Sequence, residues 1–435
     1  MNKEQQWNFI RVAPVLLFGV LGAREAAAGG LWNYDIGSDE VGLATAGYAA
    51  RAQDASTVLT NPAGMTRLKG TQAMVGVELF DDPNTFTQSS SVNSAGTGNG
   101  GTPIGMQTSG SAFITHQLPH DLTVGFGVAS SFGGNLQYAG NWVGRYWNEE
   151  SDLYGISVLP SVAYKVTRQF SIGVSLNAMY GSLVNKVAVN NALPGLGDGQ
   201  LKLDDNHWGW GGNVGLLFEL NPGTRFGLTY NSQVDLNFSP TAEFSGLGPG
   251  RNALLGGLGL LGATVNDDIR VPQGAMLSAY HEFNRGWAVM ADVGWQQWSR
   301  FGQMEFSVQD NVASTRTITT QLNYSDTWHG AIGAQRHFDN AWTLNFGYAY
   351  DSGFQKSSNV SPSLPLNEQM RFGVGGQKEE SKTMSWGVAF EYVYAQDVTF
   401  NRTSLLPVAL GGRGNLMGTF NPSMYVIAAN VTLKL

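Results

Sequence analysis

The sequence predicts an all-β protein, a 14-stranded antiparallel transmembrane β-barrel with an N-terminal plug in its lumen. Charged residues make up only 13% of the chain, against about 25% in a typical soluble protein. Glycine occurs 57 times, and aromatic residues reach 11%. Apolar and polar residues alternate along many segments, as in strands that separate lipid from a polar interior. Beyond the N-terminal leader, no segment approaches the roughly 18 apolar residues of a transmembrane helix.

Alternation with a period of two is clearest between residues 170 and 180, where Phe, Ile, Val, Leu, Ala and Tyr are interleaved with Ser, Gly and Asn. It recurs at 342–351, 386–394 and 425–435. A soluble β-sandwich or propeller also alternates, but its buried face rarely ends in aromatic residues at both rims. Runs such as 342–350 do end in this way, which favours a membrane barrel over a soluble fold.

Counting the alternating runs predicts fourteen strands, which end in short turns on one side and in longer loops on the other, as barrels of outer membranes do. The predicted strands lie near 71–80, 110–118, 122–132, 154–166, 169–190, 207–220, 224–241, 267–283, 286–309, 315–338, 341–354, 368–377, 382–400 and 419–435. The short turns include 118–121, 221–223, 284–286 and 339–341, and the longer loops include 81–109, 133–153 and 241–266.

An even number of strands places both ends of the barrel, residues 71–435, in the periplasm. A barrel of this width is not filled by its own side chains, so its lumen holds either a water channel or a plug. The segment 29–70 precedes the first strand and is the available plug.

The first 28 residues have the layout of a secretory signal peptide. Lys3 and Arg11 supply the positive charge, residues 12–22 form a short apolar run, and Ala26 and Ala28 fit a cleavage site after residue 28. The exported chain has no cysteine, so its fold depends on packing and on the hydrogen-bond ladder rather than on disulfides.

The predicted plug contains the triplet Asn61-Pro-Ala63. Pro62 disfavours helical backbone at Asn61, so a helix that we predict over Gly42–Thr60 ends here, and Gly64 allows a sharp reversal. By itself, the triplet indicates only a helix stop and a turn.

Three blocks in order resemble the FadL family of outer-membrane transporters for long-chain fatty acids and aromatic hydrocarbons. They are residues 46–68 around the triplet, Trp142-Val-Gly-Arg-Tyr146 with 160–166, and 342–351 with 362–365. The resemblance implies a location in the outer membrane of a Gram-negative bacterium. It also implies that segment 29–70 is a hatch, and that the triplet packs against an inward kink of the third strand. In the family, this kink opens a gap in the wall through which substrate leaves sideways.

The third predicted strand offers a site for such a kink. Residues 122–128 alternate cleanly, and then Ser130-Ser-Phe-Gly133-Gly134 breaks the pattern with two adjacent glycines. Adjacent glycines accommodate a bulge or bend easily. The alternative is that Gly133 and Gly134 only shape the start of the external loop.

An apolar cluster lies in the predicted external loop 241–266, where no charge occurs between Arg251 and Asp267. These leucines either pack against neighbouring loops or form a groove that captures hydrophobic molecules together with Trp142 and Tyr146. The resemblance implies the second role, because these two loops form the first hydrophobic binding site in the family. The cluster consists of Leu254, Leu255, Leu258, Leu260 and Leu261.

Three cations fall on the polar faces of predicted strands, where each could pair with a substrate carboxylate. They are Lys165, Arg225 and Arg371. Arg225 follows a turn, so we expect it to be solvated instead. The resembling family includes transporters of fatty acids and of aromatic hydrocarbons, and only a fatty acid requires a cation. The sequence does not choose between these substrates.

The sequence carries no signal for an enzyme, a cofactor or a metal. It lacks the G-x-S-x-G and H-E-x-x-H motifs, and its six histidines are scattered singly. The run Gly257-Leu-Gly-Leu-Leu-Gly262 matches a dinucleotide fingerprint but lies in a loop without the βαβ context. A net charge of −8 argues against nucleic acid as a partner.

We therefore predict passive uptake of hydrophobic small molecules by a monomer embedded among outer-membrane lipid and lipopolysaccharide. The alternative is a general diffusion porin for polar solutes. The predicted plug and the apolar loop argue against a porin, which needs an open, charged and wet constriction. No sequence motif supports a third possibility, an outer-membrane enzyme or adhesin.

Overall fold

The computed structural model describes residues 31–192, 195–284, 286–301, 303–309, 315–356 and 360–435. The predicted signal peptide, residues 1–28, lies outside these ranges, as do the first two residues of the predicted plug. None of the helices within the described ranges is long and apolar enough to cross a membrane.

Fourteen antiparallel strands close into a barrel, as the alternation predicts. Each strand pairs with its neighbours in the sequence, and the first also pairs with the last from 72–434 to 81–425. Because of this closure, neither the first nor the last strand is a free edge of the sheet. The wall strands are β1 (Thr71–Asp82), β2 (Gly105–Gln117), β3 (Leu122–Gln137), β4 (Glu150–Lys165), β5 (Phe170–Val189), β6 (Gly199–Asn221), β7 (Thr224–Asn231), β8 (Gly274–Asn284), β9 (Trp287–Gln296), β10 (Thr327–His337), β11 (Trp342–Asp351), β12 (Gln369–Glu379), β13 (Met384–Ala395) and β14 (Met424–Lys434).

Six predicted strands are too long, because each is two strands in the structure. One of the two pieces stays in the wall, and the other joins one of two small sheets beyond the external rim. Pro272 and Pro422 lie at two of these breaks, where the missing amide proton ends the ladder. The outer sheets contain Val234–Phe238, Thr264–Val271, Gln303–Gln309 and Thr315–Gln321 in one, and Thr87–Gln88, Val398–Arg402 and Leu416–Phe420 in the other. A short strand, Glu243–Ser245, pairs with the start of β6. The external loops also contain two α-helices, Pro249–Gly257 and Trp298–Phe301, and a 3₁₀ helix, Val408–Leu410.

The two faces of the wall have the polarity of a membrane protein. In β5, Ile172, Val174 and Leu176 are 41%, 49% and 49% exposed, whereas Ser171 and Ser175 on the opposite face are buried. A water-soluble sheet has the reverse arrangement, with apolar side chains inside. The apolar outer face is therefore suited to contact with lipid acyl chains.

Residues 31–70 lie inside the barrel, and we call this segment the hatch. It contains α1 (Ser38–Gly42), α2 (Thr57–Thr60) and a 3₁₀ helix at Pro62–Arg67. The continuous helix predicted over 42–60 is wrong, because Ala44 and Thr45 have positive φ angles of 45° and 69° and the chain forms turns there. The predicted stop before Pro62 is correct, since Asn61 has extended backbone.

The hatch backbone approaches the wall closely where inward-facing residues are glycines. A Cβ at Gly227 of β7 would overlap the carbonyl oxygen of Ala49, and a Cβ at Gly347 of β11 would overlap the backbone of Leu43. Residues 31–64 are almost all buried as a result. Residues 31–64 of the hatch thus fill part of the lumen and pack against the wall.

Candidate transport pathway

The barrel wall has a gap between β2 and β3. The two strands pair along 111–117 and 123–129. Above this level no backbone pairing joins 105–110 of β2 to 130–137 of β3, although both stretches are described. This gap in the backbone pairing is a candidate exit for substrate.

The gap arises from a bend in β3. The pairing of β3 with β4 shifts register between Ser130 and Phe132, and Gly133 has a φ of 134°. A Cβ at Gly133 would overlap the carbonyl of Leu153, so the bend requires glycine at this position. The irregularity predicted at Gly133 and Gly134 is therefore present in the third strand.

The first described residues of the hatch cover the gap. The amide of Gly133 donates to the carbonyl of Leu31 at 2.7 Å, and the amide of Asn33 donates to the carbonyl of Ser131 at 3.0 Å. Towards β2, the side-chain amide of Asn33 donates to Ser109 Oγ at 3.2 Å. These hatch residues thus take the place of the strand partner that β3 lacks.

A cavity of about 490 Å³ lies directly behind the gap. Leu31, Gly134 and Asn135 form its wall on the gap side. Its size is typical of small-molecule sites, and its lining is mostly apolar. The other lining residues are Ile104, Gln107, Leu136, Ser151, Leu153, Leu183, Asn185, Leu203, Asp267, Ile269, Phe301, Leu322, Tyr324, Ser361, Ser363, Leu364, Pro365, Leu366, Arg413 and Met424.

A buried aromatic cluster supports the cavity. Trp298 stacks on Phe132 at 6.5 Å between ring centroids and on Phe354 at 5.0 Å. Phe301 and Tyr324, which line the cavity, stack on each other at 6.3 Å. Because Phe132 belongs to the bend in β3, this cluster connects the cavity to the gap.

Asp267 is the one acidic residue among the described residues that line the cavity. Its side chain is 5% exposed, and Oδ1 has no hydrogen-bond partner in the described part of the chain. It lies in Thr264–Val271 of the outer sheet, outside the barrel wall. Burial and the nearby Asp268 raise the pKa of Asp267 to about 7.

Arg371 connects the hatch to the wall. Its guanidinium donates to Asp35 Oδ1 of the hatch at 2.5 Å and to Glu391 Oε1 of β13 at 2.8 Å. All three side chains are 0% exposed. Within the hatch, Arg51 forms a second buried ion pair with Glu40. The carboxylate partners of Arg371 are therefore supplied by the protein itself.

Comparison with known proteins identifies the family to which the chain belongs. The family of outer membrane protein transport proteins (OMPP1/FadL/TodX) matches residues 19–435.

The chain belongs to the OMPP1/FadL/TodX family.

Relatives of this family share the whole length of the chain. The 47 kDa outer membrane protein of Pasteurella multocida is 30% identical, over 96% of this chain and 98% of its own. The long-chain fatty acid transport protein of Escherichia coli O6:H1 is 24% identical, over 91% of this chain and 94% of its own. Two solved structures share the fold. The first is a Pseudomonas aeruginosa FadL homologue, with a TM-score of 0.80 and 19% identity over 93% of this chain and 99% of its own. The second is the P. putida toluene transporter TodX, with a TM-score of 0.70 and 18% identity over 93% of this chain and 99% of its own.

The triplet Asn61–Ala63 does not lie where the sequence resemblance implied. Its contacts are with β5 and β6, because a Cβ at Gly173 or Gly215 would overlap its atoms. The Asn61 side-chain amide also donates to the carbonyl of Leu216 of β6 at 3.0 Å. The bend of β3 is contacted instead by residues 31–33. In this OMPP1/FadL/TodX barrel, the triplet therefore fixes the hatch to β5 and β6, which lie two and three strands along the wall from β3.

The three predicted lumen cations lie in different places. Arg225 is 3% exposed and donates to the carbonyl of Ala50 at 2.6 Å, so the expectation that it is solvated is wrong. The guanidinium also lies 3.5 Å from the ring centre of Tyr280. Lys165 lies at the periplasmic end, 3.5 Å from Glu219 Oε2. Neither side chain lines the cavity behind the gap.

The predicted capture residues form two separate groups. Trp142 is 0% exposed and stacks on Tyr138 at 3.4 Å, while Tyr146 is 5% exposed and donates to Asp198 Oδ1 at 2.5 Å. The groove predicted to be shared with the leucines is therefore not formed, because both aromatic residues pack inside the external loops. The leucines lie on and after helix Pro249–Gly257, which has no buried residue. Among them, Leu254 and Leu258 are 51% and 40% exposed, while Leu255, Leu260 and Leu261 are partly buried.

The sequence reasoning missed the residues that matter most to the cavity, namely Leu31, Asp267, Phe301 and Tyr324. The sequence does contain a pattern that could have identified Asp267. It shares a strand face with the apolar Ile269 and Val271, where a carboxylate is out of place. No group of His, Asp or Glu side chains among the described residues is arranged to hold a metal ion.

Proposed function

We propose that this outer-membrane barrel takes up hydrophobic small molecules and releases them sideways through the gap between β2 and β3. The main observation that supports the proposal is the position of the cavity. One side of this apolar cavity is formed by Gly134 and Asn135 at the gap, and by Leu31, which belongs to the segment covering the gap. A molecule in the cavity therefore lies next to the gap, which is covered by the first residues of the hatch and bridged by Gln107 Nε2, which donates to the carbonyl of Asn135 at 2.6 Å.

Sideways release agrees with the energetics of an apolar solute. Transfer of apolar surface into water costs about 25 cal/mol per Å². The straight route into the periplasm leads past the hatch to polar cavities, one of which is lined by Thr66, Arg67, Lys165 and Glu219. The outer face of the wall, in contrast, is apolar. The relatives named as transporters of fatty acids and of toluene support hydrophobic molecules as the substrate class.

A disulfide that ties the hatch to β3 tests the proposal. Trp32 and Phe132 form an antiparallel bridge, flanked by the two backbone hydrogen bonds at Leu31 and Asn33. Facing residues in such a pair have Cα atoms about 4.5 Å apart, within the range of disulfides. The chain has no cysteine of its own, so Trp32→Cys with Phe132→Cys introduces a single possible bond.

We expect the oxidised double variant in liposomes to stop delivering a hydrophobic probe to the bilayer, and we expect reduction to restore delivery. The reduced form of the same variant is the matched control, because it carries both substitutions. Equal delivery by the oxidised and reduced forms would refute sideways release and would leave a straight path through the lumen.

A general diffusion porin is the competing function. Residues 31–64 are nearly all buried inside the barrel, so polar solutes find no open, wet constriction of the kind that a porin needs. Liposome swelling in sugars separates the two functions. We expect no swelling with the wild-type protein, and ready permeation of sugars would overturn the proposal.

We also propose that the exposed leucines of helix Pro249–Gly257 provide a first contact for hydrophobic molecules outside the membrane. The helix is attached to a neighbouring loop by Arg251, which donates to the carbonyl of Asn190 at 2.6 Å. Leu254 and Leu258 remain exposed on it. Exposed apolar groups on a fixed element are suited to capture.

A monomer within outer-membrane lipid and lipopolysaccharide is sufficient for this function. The barrel closes on itself, and a single chain supplies the hatch, the cavity and the gap. Its outer face carries apolar side chains such as Val174 and Leu176, which are suited to contact with acyl chains.

A further inference from the structure

We propose that the cavity behind the gap prefers uncharged hydrophobic molecules that carry a hydroxyl group, such as alkylphenols and long-chain alcohols, over long-chain carboxylates. The inference rests on the proposed function, because it concerns the ligand of the same cavity. Two observations support it: the buried carboxyl group of Asp267 at the cavity, and the positions of the cations.

Asp267 presents an unsatisfied acceptor at the cavity. In the strand Thr264–Val271, Asp267 and Ile269 are buried on one face, and both line the cavity. Oδ1 of Asp267 is buried without a hydrogen-bond partner in the described residues. Buried polar atoms in proteins are hydrogen-bonded in the great majority of cases. A ligand that donates a hydrogen bond would satisfy this carboxyl group.

Among the described side chains that line the cavity, no buried cation is free to receive a carboxylate. Arg371 is bound to two carboxylates, Arg225 donates to the hatch backbone, and Lys165 lies at the periplasmic end. Among the described lining residues, Arg413 alone is cationic. Its side chain is exposed, and its guanidinium lies 5.3 Å from the ring centre of Trp147 in the external loops. Arg413 thus lines the cavity from the external loops, where its guanidinium faces an aromatic ring.

The charges therefore discriminate between ligand headgroups. A carboxylate in the buried part of the cavity would face the carboxyl of Asp267 in a medium of low dielectric constant, where like charges repel strongly. It would also lose its hydration without gaining a counter-ion. A hydroxyl group has a much smaller desolvation cost and can donate to Asp267. A ligand without any polar group fits the apolar walls but leaves Asp267 unsatisfied.

Three probes with the same tail and different headgroups test the inference: 4-octylphenol, 4-octylbenzoate and octylbenzene. Affinities are measured by competition against labelled 4-octylphenol on immobilised full-length protein in detergent. The measurement is made at pH 8.5, where Asp267 is ionised and the phenol is neutral. We expect the wild-type protein to bind octylphenol at least about tenfold more tightly than octylbenzoate, since one net hydrogen bond corresponds to about that factor.

Variants of Asp267 separate the hydrogen bond from the charge. Asp267→Leu should lower the affinity for octylphenol about tenfold, to that of octylbenzene, while octylbenzene binds as well as before or better. Asp267→Asn keeps an acceptor but removes the charge, so octylphenol should be retained while octylbenzoate gains. Asp268→Asn, on the other face of the same strand, is the matched control and should change none of the affinities. Heat-dependent migration in SDS verifies that each variant barrel is folded.

The inference is refuted if the wild-type protein binds octylbenzoate more tightly than octylphenol, in which case Arg413 is the headgroup site. It is also refuted if Asp267→Leu leaves the affinity for octylphenol unchanged. Either result leaves the proposed uptake of hydrophobic molecules intact. If none of the three probes binds the wild-type protein, both the inference and the proposed function are overturned.

Discussion

Replacing Arg371 by methionine removes the cation that joins the hatch to the wall. The guanidinium lies 2.5 Å from Asp35 Oδ1 and 2.8 Å from Glu391 Oε1, and all three side chains are 0% exposed. Methionine retains much of the side-chain length and packs in apolar surroundings. The two carboxylates, however, are left buried beside each other without a positive charge. We therefore expect Arg371→Met to weaken the seating of the hatch.

The loss of hatch stability in Arg371→Met can be estimated from the burial of the ion pair. Removing one partner of a buried pair typically costs about 3–5 kcal/mol, because the remaining charge is uncompensated. A cost of about 4 kcal/mol raises the population of the unseated hatch about a thousandfold. The ladder of fourteen strands does not depend on this ion pair. The loss should therefore fall mainly on the hatch and leave the barrel closed.

Conductance across planar bilayers measures the unseated state, because a lumen without its hatch conducts ions. We expect frequent openings for Arg371→Met and rare openings for the wild-type protein. Trypsin provides a second measurement, since cleavage after Arg51, which is 4% exposed, requires the hatch to leave its site. A triple variant that adds Asp35→Asn and Glu391→Gln removes the uncompensated charges and should recover most of the wild-type behaviour. Wild-type conductance together with resistance to trypsin in Arg371→Met would refute the reasoning.

The other predictions concern the wall, the external loops and the cavity. Gly227→Ala should destabilise the seated hatch by about 1–3 kcal/mol, as overpacking does, and increase tryptic cleavage. Gly330→Ala, whose Cβ meets no atom within 4 Å, is the control, and equal effects of the two would contradict the close fit. Leu254→Asp with Leu258→Asp should slow uptake at low substrate concentration while heat-dependent migration in SDS stays normal, and unchanged uptake would make these leucines dispensable. Because burial raises the pKa of Asp267 to about 7, well above the ordinary value of about 4, the wild-type protein should lose stability as the pH rises from about 4 to about 7. Asp267→Asn should not show this loss, so the thermal stability of the variant relative to wild type should be higher at pH 8 than at pH 5, and a pH-independent difference would contradict the raised pKa.

The barrel could be predicted from sequence because lipid and lumen impose opposite polarities on alternate residues. The same signal overextended six strands. Residues Val234–Phe238 continue the alternation of β7, although they belong to an outer sheet that also has one buried face. A period of two shows that a segment is a strand, but not which sheet it joins.

The hatch and the cavity could be predicted only in part. Pro62 correctly marked the end of a helix, but the positive φ angles at Ala44 and Thr45 are set by the surrounding wall and not by residue type. Parity placed Arg371 on a polar face, yet its partner Asp35 lies 336 residues away. No sequence pattern distinguishes a lumen cation that faces water from one that is paired with the hatch.

The contacts along the hatch differ in kind, because an ion pair holds Asp35 but none holds residues 31–33, and this difference bears on how the gap opens. Residues 31–33 are held to the wall by two backbone hydrogen bonds to β3, by the side chain of Asn33, which donates to Ser109 Oγ of β2, and by the burial of Leu31 and Trp32. Asp35, only two residues later, is held by a buried ion pair whose loss costs about 3–5 kcal/mol. Beyond it, the side chain of Asn345 donates to Asp39 Oδ1 at 2.7 Å. We infer that the residues covering the gap can detach while the rest of the hatch stays seated, so that the wall opens towards the membrane without opening the lumen to water.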